Sequence, residues 1–332
     1  MGRIGKTNAE VFQQIVKEEN SVGKWECLLK DCHNTAINSH LLQRHGILDN
    51  ITEDGHMYEL SPISAFRLLS PSANNNDLIL EFKKIGINNA ISWPIFCNKH
   101  DTLLFSDIEK KELDCSDYSN QLLFSYRTVC GEIRKNEILC QIYTRYLNEG
   151  ELSPQKIMDI RDRIRGLKQT INDYRFYENE IQKELLNPYG NFVFRHYSYN
   201  QLQIYASAAF SYILYDKEKE YDPLPWECCF FHIIPQPRSS EIIVGYHKDR
   251  VNSYLIDYAE RWNNLDNAKL EQMLSDFCTL RAEGWGLSVS LYNKIGREKK
   301  KEFLSLFQTL GHCYDARVEV KHGIFEGLLQ CY

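Results

Sequence analysis

The chain has 332 residues, of which 43% are hydrophobic and 25% are charged, a composition typical of a globular protein with a buried core. Its formal net charge of −6 excludes an overall basic field that would attract nucleic acid, so a nucleic-acid contact would require a local basic patch. No apolar run approaches the roughly 18 residues that a membrane helix needs, and residues 1–14 lack the apolar stretch of a secretory signal. We therefore expect a cytoplasmic protein without a membrane span.

The eleven cysteines do not indicate a disulfide framework. Their number is odd, and several lie within helical patterns, as expected for reduced thiols that pack like small apolar side chains. Cys228 and Cys229 are adjacent in a strand-like run, so we expect their side chains on opposite faces of a sheet.

The N-terminal third is predicted to consist of a short helix followed by a zinc-binding module. Apolar residues recur at helical spacing in residues 7–19, which predicts an amphipathic helix. Residues 25–36 then have the character of a tight turn that carries Cys27 and Cys32. Two thiolates separated by four residues can reach one Zn²⁺ at about 2.3 Å.

A second ligand pair follows much later in the chain, at Cys97 and His100. We expect the two residues between them to form a turn and Asp101 to begin a helix. Together the two pairs give a Cys₃His set, which is typical of a structural zinc site. The predicted zinc ligands are Cys27, Cys32, Cys97 and His100. In the alternatives, the cysteines are unrelated core thiols or His33 replaces one ligand.

Between the two pairs, residues 38–45 have the pattern of a helix start, with Asn38 or Ser39 as the cap. His40 lies in this segment and has two interpretations. In the first, it is a helix residue that hydrogen-bonds a neighbour or serves as a spare zinc ligand. In the second, it is a catalytic base.

Two strands are expected before the second ligand pair. Residues 53–58 predict a turn that leads into a strand, and residues 78–85 alternate loosely and predict a second strand. The intervening residues 61–77 contain prolines, serines and a run of asparagines, which is the composition of a loop.

The middle of the chain predicts a long antiparallel helical hairpin. One apolar stripe runs from residue 117 to residue 148, and a second, of near-heptad spacing, runs from residue 154 to residue 185. Gly150 ends the first helix, and Pro154 stands at the first position of the next. Such a hairpin offers a surface for homo-oligomer formation.

The remainder of the chain predicts a mixed α+β domain. Residues 192–215 favour strands, and the runs Glu227–Pro235 and Glu241–His247 flank a turn, which predicts a β-hairpin. Helical patterns follow at residues 254–262, 265–278 and 299–310. The chain contains no glycine-rich phosphate loop, nucleophile elbow or zinc-protease motif.

The order Cys27-x4-Cys32, Ser39-His40, Cys97-x2-His100 resembles the zinc-braced treble-clef arrangement of HNH-type endonucleases. The resemblance covers residues 25–109. It implies that the four ligands hold a structural zinc, and that His40 activates water for attack on a phosphodiester beside a bound Mg²⁺ or Mn²⁺.

The sequence departs from that pattern at two places. Leu41 follows the histidine where an acidic residue or proline is usual, and Leu104 stands near the position of a second metal-binding histidine. Asn88, Asn89 or Asp101 would have to supply that ligand instead. The module is also similar to one of uncharacterised bacterial proteins, some of them from phage-defence or mobile-element neighbourhoods.

We therefore predict an α+β protein with a zinc-stapled module at residues 1–115, a helical hairpin at 116–188 and a mixed α+β domain at 189–332. Its expected function is to bind a protein partner or nucleic acid, with Zn²⁺ as a structural cofactor and a role in defence. The alternative is a metal-dependent nuclease with His40 as general base, which would also need Mg²⁺ or Mn²⁺. A third hypothesis places the active site of a toxin or defence effector in the last domain.

Overall fold

The fold is given by a computed structural model that describes residues 7–21, 23–66, 78–110, 112–213, 225–311, 313, 315–321 and 323–329. Most of the predicted loop at 61–77 lies outside the described residues, and so does Cys331. The described part is α+β, as predicted.

The largest element of the fold is a seven-stranded sheet in which every neighbouring pair is antiparallel. Its strands are β2 (His56–Pro62), β3 (Leu80–Gly86), β5 (Phe192–Asn200), β6 (Ile204–Ser211), β7 (Cys228–Pro235), β8 (Ser239–His247) and β9 (Trp285–Leu287). Their order across the sheet is β3-β2-β9-β6-β7-β8-β5. The expected strands after residues 53 and 78 and the expected β7–β8 hairpin are therefore confirmed.

The predicted helical hairpin is confirmed as α3 (Tyr118–Glu149) and α4 (Pro154–Leu186). The Asp117 side chain accepts a hydrogen bond from the Asn120 N–H at the start of α3. Ser153 caps α4 in the same way, and Pro154 occupies its first turn, where no N–H is needed. The two caps set where the helices begin, and the apolar stripes set how they pack.

The sheet lies between two helical layers because both of its faces are apolar. On one face, Tyr205, Phe230 and Ile243 pack with the hairpin and the N-terminal module. On the other face, alternate residues such as Phe231 and Val244 pack with the C-terminal helices. Cys228 and Cys229 belong to these opposite cores, as the alternation of a strand requires.

The C-terminal layer contains four α-helices among the described residues. They are α5 (Ser253–Glu260), α6 (Asn267–Asp276), α7 (Val289–Lys294) and α8 (Arg297–Leu310), and a π-helical turn, Phe277–Arg281, follows α6. The three predicted helices correspond to α5, α6 and α8. No described helix is both long enough and apolar enough to cross a bilayer.

The N-terminal module contributes α1 (Asn8–Glu19), β1 (Asn38–His40), β4 (Ser92–Pro94) and α2 (Asn98–Phe105). Strands β1 and β4 form a separate two-stranded antiparallel sheet. The chain between them contains β2 and β3, and β2 pairs with β9. The seven-stranded sheet therefore draws strands from both the predicted first and the predicted third domain.

The helix start predicted for residues 38–45 is wrong, because residues 38–40 form β1. Ser39 does not cap a helix, since its hydroxyl accepts a hydrogen bond from the Phe96 N–H at 3.4 Å and is buried. The Leu41 N–H donates to the Ile91 carbonyl at 3.0 Å and extends the contact with the β4 segment. Pairing with a distant strand outweighs the local capping signal here.

Candidate metal centre

The four predicted ligands meet at one point of the N-terminal module. The sulfurs of Cys27, Cys32 and Cys97 and a ring nitrogen of His100 all lie within 4.8 Å of one another. The His100 Nδ1 is 3.4 Å from the Cys27 sulfur and 3.4 Å from the Cys97 sulfur. The Cys32 and Cys97 sulfurs are 3.9 Å apart.

Three of the six distances among these four atoms fit a single tetrahedral ion. With metal–sulfur bonds of about 2.3 Å and a metal–nitrogen bond of about 2.0 Å, a tetrahedron places two sulfurs about 3.8 Å apart and a sulfur about 3.5 Å from the nitrogen. The three short distances in the cluster agree with these values to within about 0.2 Å. The arrangement can therefore hold a metal ion of the size and ligand preference of Zn²⁺.

Cys27 and Cys32 lie on a tight turn that backbone hydrogen bonds close. The Cys27 N–H donates to the Asn34 carbonyl at 2.8 Å, and the Cys32 N–H donates to the Leu29 carbonyl at 3.2 Å. Asp31, just before Cys32, has a φ of +61°, the left-handed conformation that such a turn requires. The turn predicted for residues 25–36 is confirmed.

The other two ligands lie at the N-terminus of α2. Cys97 is the N-cap of this helix, and His100 lies in its first turn. The helix begins at Asn98, so the prediction of a turn at 98–99 and a helix start at Asp101 was wrong. The Asp101 N–H donates to the Cys97 carbonyl at 2.9 Å, which makes the two intervening residues the first helical turn.

The backbone around Cys97 favours a thiolate. Burial acts to raise the pKa of this thiol, but the N–H groups of His100 and Lys99 and the neighbouring thiols outweigh burial, so the pKa is lowered. For Cys27, burial is the dominant effect and raises the pKa. The helix N-terminus thus supplies the electrostatic support that a sulfur ligand needs.

His33 lies outside the cluster. Its ring is exposed and its Nδ1 lies 3.1 Å from the Glu26 carboxylate. The candidate set among the described residues is therefore the original four, without a substitute ligand.

His40, the candidate catalytic base, lies on β1 and is not one of the four clustered residues. Its Nε2 is 3.2 Å from the Ile87 carbonyl, and because a carbonyl can only accept, this nitrogen carries the proton. Burial, together with the charges of Arg127 and Arg44, lowers the pKa of His40, although the Ile87 bond opposes the shift. Because the pKa lies below its ordinary value, the ring is mainly neutral at pH 7, although a backbone hydrogen bond with Asn88 also opposes the shift.

Two of the three residues proposed as a second metal ligand, Asp101 and Asn88, have other partners. Both Asp101 carboxylate oxygens accept hydrogen bonds from Arg127 Nη2 at 3.1 Å. The same nitrogen donates to Glu109 at 2.8 Å. The Asn88 side-chain oxygen accepts from Arg44. The side chains of Asp101 and Asn88 thus already accept hydrogen bonds from arginines.

Arg127 is a residue that the sequence did not single out. It lies in the apolar stripe of α3, where its guanidinium stacks over the Phe105 ring at 4.3 Å and is 2% exposed. The available signal was a basic residue at a core-facing helical position, since such a charge requires buried partners. Nothing in the sequence identifies Asp101 and Glu109 as those partners.

Three histidines for which the sequence predicted no function have polar partners within the fold. His232 is fully buried, with its two ring nitrogens 3.1 Å from the Ser207 hydroxyl and 3.4 Å from the Ser125 hydroxyl. His196 pairs with Glu241 at 2.8 Å. The third, His247, accepts a hydrogen bond from the Asp249 N–H at 3.2 Å.

Comparisons with known proteins assign no family to this chain. No family model, no curated protein and no solved structure matches it. The geometry of the chain itself is therefore the basis for a functional proposal.

Proposed function

We propose that the protein is a zinc-stabilised binding protein whose N-terminal module is similar to a treble clef. Its four ligands hold one structural Zn²⁺, and the protein acts in the cytoplasm by binding a protein partner or a nucleic acid. The observation that carries this proposal is the closed Cys₃His set, because structural zinc sites fill all four positions with protein ligands, whereas catalytic sites leave one open for water.

The order of elements around the cluster supports the likeness to a treble clef. A cysteine-bearing turn precedes a two-stranded antiparallel sheet, and the helix that follows supplies two ligands from its N-terminus. The turn is also joined to the second ligand pair by the Leu28 N–H, which donates to the Ile95 carbonyl at 2.8 Å. A bound ion would fix both ends of the segment that carries β2 and β3.

The proposal is tested by comparing the thermal unfolding of Cys97→Ser with that of Cys140→Ser. We expect the first substitution to lower the unfolding temperature strongly and to abolish bound zinc, since the binding free energy of structural zinc is about 10 kcal/mol or more. Cys140 lies on α3 outside the cluster and serves as the matched control. Equal stability and equal zinc content in the two variants would exclude a structural ion.

The choice of partner is tested on the same purified protein. Binding of fluorescent duplex DNA or RNA should weaken steeply between 50 and 200 mM salt if phosphates are contacted, by about 10³-fold for six contacts. Absence of nucleic-acid binding at low salt would leave a protein as the partner.

A metal-dependent nuclease is the second candidate, and His40 is the observation that favours it. A neutral histidine whose protonated nitrogen is fixed by a carbonyl is suited to take a proton from water. Against it stands the ion pair of Asp101 with Arg127, since a divalent cation at Asp101 would have to displace a buried guanidinium.

Plasmid DNA and RNA incubated with the protein and Mg²⁺ or Mn²⁺ test this alternative. If the nuclease hypothesis holds, His40→Ala should stop cleavage and leave the fold intact. The matched control is His45→Ala, because His45 is exposed and pairs with Asp49 at 2.9 Å. Cleavage that survives in both variants, or no cleavage by the wild type, would remove His40 from any catalytic role.

A further inference from the structure

A cavity of about 580 Å³ is lined by residues of the helical hairpin and by residues near the C-terminal end of β6 and the start of β7. Its walls come from α3, α4, the strand ends near Ala209 and Cys228, and the segment that contains Arg281 and Glu283. None of the four candidate metal ligands lines it. Its volume is within the range of about 300–1,000 Å³ found for small-molecule sites.

Most charged groups in the cavity already have partners. Lys135 is held by Glu132 at 2.6 Å and lies 3.6 Å from Glu283. The Arg281 guanidinium donates to backbone carbonyls, including that of Cys313 at 2.6 Å. These groups therefore form the wall and are not free to bind an incoming charge.

Asp173 is different, because this half-buried carboxylate on α4 has no hydrogen bond or ion pair with the described residues. Arg250 is the cation with the largest electrostatic effect on Asp173. It forms no ion pair with Asp173 in the described part of the chain, and its guanidinium instead donates to the Pro225 carbonyl at 2.5 Å. Burial raises the pKa of Asp173 to about 6, while the charge of Arg250 acts to lower it. The ionised carboxylate is thus poorly compensated above that pH.

Aromatic residues line the same cavity as this carboxylate. Tyr143 on α3, Tyr174 and Tyr177 on α4, and Trp226 before β7 all line the cavity. The Tyr174 hydroxyl donates to the Ala209 carbonyl at 2.7 Å, so its polar end is satisfied. A cavity that combines aromatic residues with an uncompensated carboxylate is suited to attract an organic cation.

We propose that this cavity binds a small organic cation, an ammonium or amidinium that carries an apolar group, with its charge at Asp173 and its apolar part against the aromatic rings. The remaining charged groups that face the cavity are Glu132 and Lys135 from α3, Arg163 from α4, and Arg281 and Glu283 from the opposite wall. This site is independent of the metal centre and of the function proposed for it.

The test uses the full-length, zinc-loaded protein and two probes of equal shape, benzylamine and the neutral benzyl alcohol, titrated at pH 7.5 with ligand-observed NMR. We expect benzylamine to bind at least about 10-fold more tightly, the equivalent of 1.4 kcal/mol for one charge interaction. Asp173→Asn should bring benzylamine to the level of the alcohol. The control Asp162→Asn, on the same helix, removes an exposed carboxylate paired with Arg165 and should change nothing.

The pH dependence gives a second readout. Because a cation needs the ionised carboxylate, benzylamine affinity should fall as the pH is lowered from 7.5 to 5, through the Asp173 pKa of about 6. The Asp173→Asn variant should lack this dependence. Equal affinity for the two probes, no saturable binding of benzylamine, or wild-type affinity in Asp173→Asn would each overturn the proposal.

Discussion

At the residue scale, Arg127 links α2, the helix that carries two of the candidate metal ligands, to the helical hairpin. Its Nη2 lies 2.8 Å from Glu109 and 3.1 Å from Asp101, while the rest of the guanidinium is enclosed. A charge in such a position is stabilised only by its partners, because its hydration has been lost. Arg127 lies among the apolar residues of α3, and its partners lie elsewhere in the chain, so the sequence could not identify the pairing.

Replacement of Arg127 by methionine should therefore destabilise the fold by about 2–4 kcal/mol, since two partly buried carboxylates lose their counter-charge. Chemical denaturation at pH 7 measures this difference. Arg161→Met, at an exposed position of α4, is the control and should stay within about 0.5 kcal/mol of wild type. Equal effects of the two substitutions would mean that the Asp101–Glu109 network contributes nothing to stability.

Glu59 gives a second test at this scale. One of its oxygens, Oε1, accepts hydrogen bonds from the Tyr205 hydroxyl at 2.6 Å and the Ile91 N–H at 2.8 Å. Burial raises the pKa of this carboxyl from 4.5 to about 7, although both hydrogen bonds act to lower it. Because the folded-state pKa is the higher one, ionisation of Glu59 destabilises the fold progressively between about pH 4.5 and pH 7.

Glu59→Gln keeps the accepting oxygen and removes the charge. We expect the variant to be more stable than wild type at pH 8, by up to about 3 kcal/mol, and to approach wild type at pH 5. Denaturant unfolding at the two pH values measures the difference in the free energy of unfolding between variant and wild type. The pH effects of all other groups are common to both proteins and cancel in this difference. A variant less stable than wild type at pH 8 would contradict a raised pKa of Glu59.

At the scale of elements, the long periodic segments were predictable and the three-residue strands were not. The apolar stripes of α3 and α4 and the caps at Asp117 and Ser153 are local signals, and the structure confirms them. The segment at β1 was mistaken for a helix, because its three residues are determined by β4, more than fifty residues later. Short strands have too little local pattern to compete with a capping signal.

Two glycines of the hairpin test how closely these elements pack. A Cβ added at Gly131 would lie 2.7 Å from a Leu41 methyl group, whereas nothing lies within 4 Å of a Cβ at Gly166. Gly131→Ala should destabilise the protein by about 1–3 kcal/mol through overpacking. Gly166→Ala, at an exposed helical position, should stabilise it by about 0.5–1 kcal/mol. Stabilisation by both changes would show that α3 does not press against the N-terminal module.

At the scale of the whole molecule, the sheet combines segments far apart in sequence. Strands β2 and β3 arise between the two ligand pairs, yet β2 pairs with β9 near residue 286. The sequence indicated β2 and β3 but not β9, whose three residues have too little local pattern, and it contained no signal for the pairing of β2 with β9. The predicted ligand set could be read from the sequence, because cysteine and histidine at fixed spacing are rare by chance.

The candidate metal centre connects segments that lie far apart in the sequence. Its ligands come from a turn before β1 and from the helix after β4, so an ion there would fix the chain on both sides of the β2–β3 excursion. Loss of the ion should destabilise β2 and β3, at the edge of the seven-stranded sheet, together with the N-terminal module.

The most direct test is the zinc content of the protein purified without chelators, measured by mass spectrometry of the intact chain and by elemental analysis. We expect one Zn²⁺ per chain in the wild type and none in Cys97→Ser. A folded wild-type protein that contains no zinc and does not take it up when supplied would contradict the account.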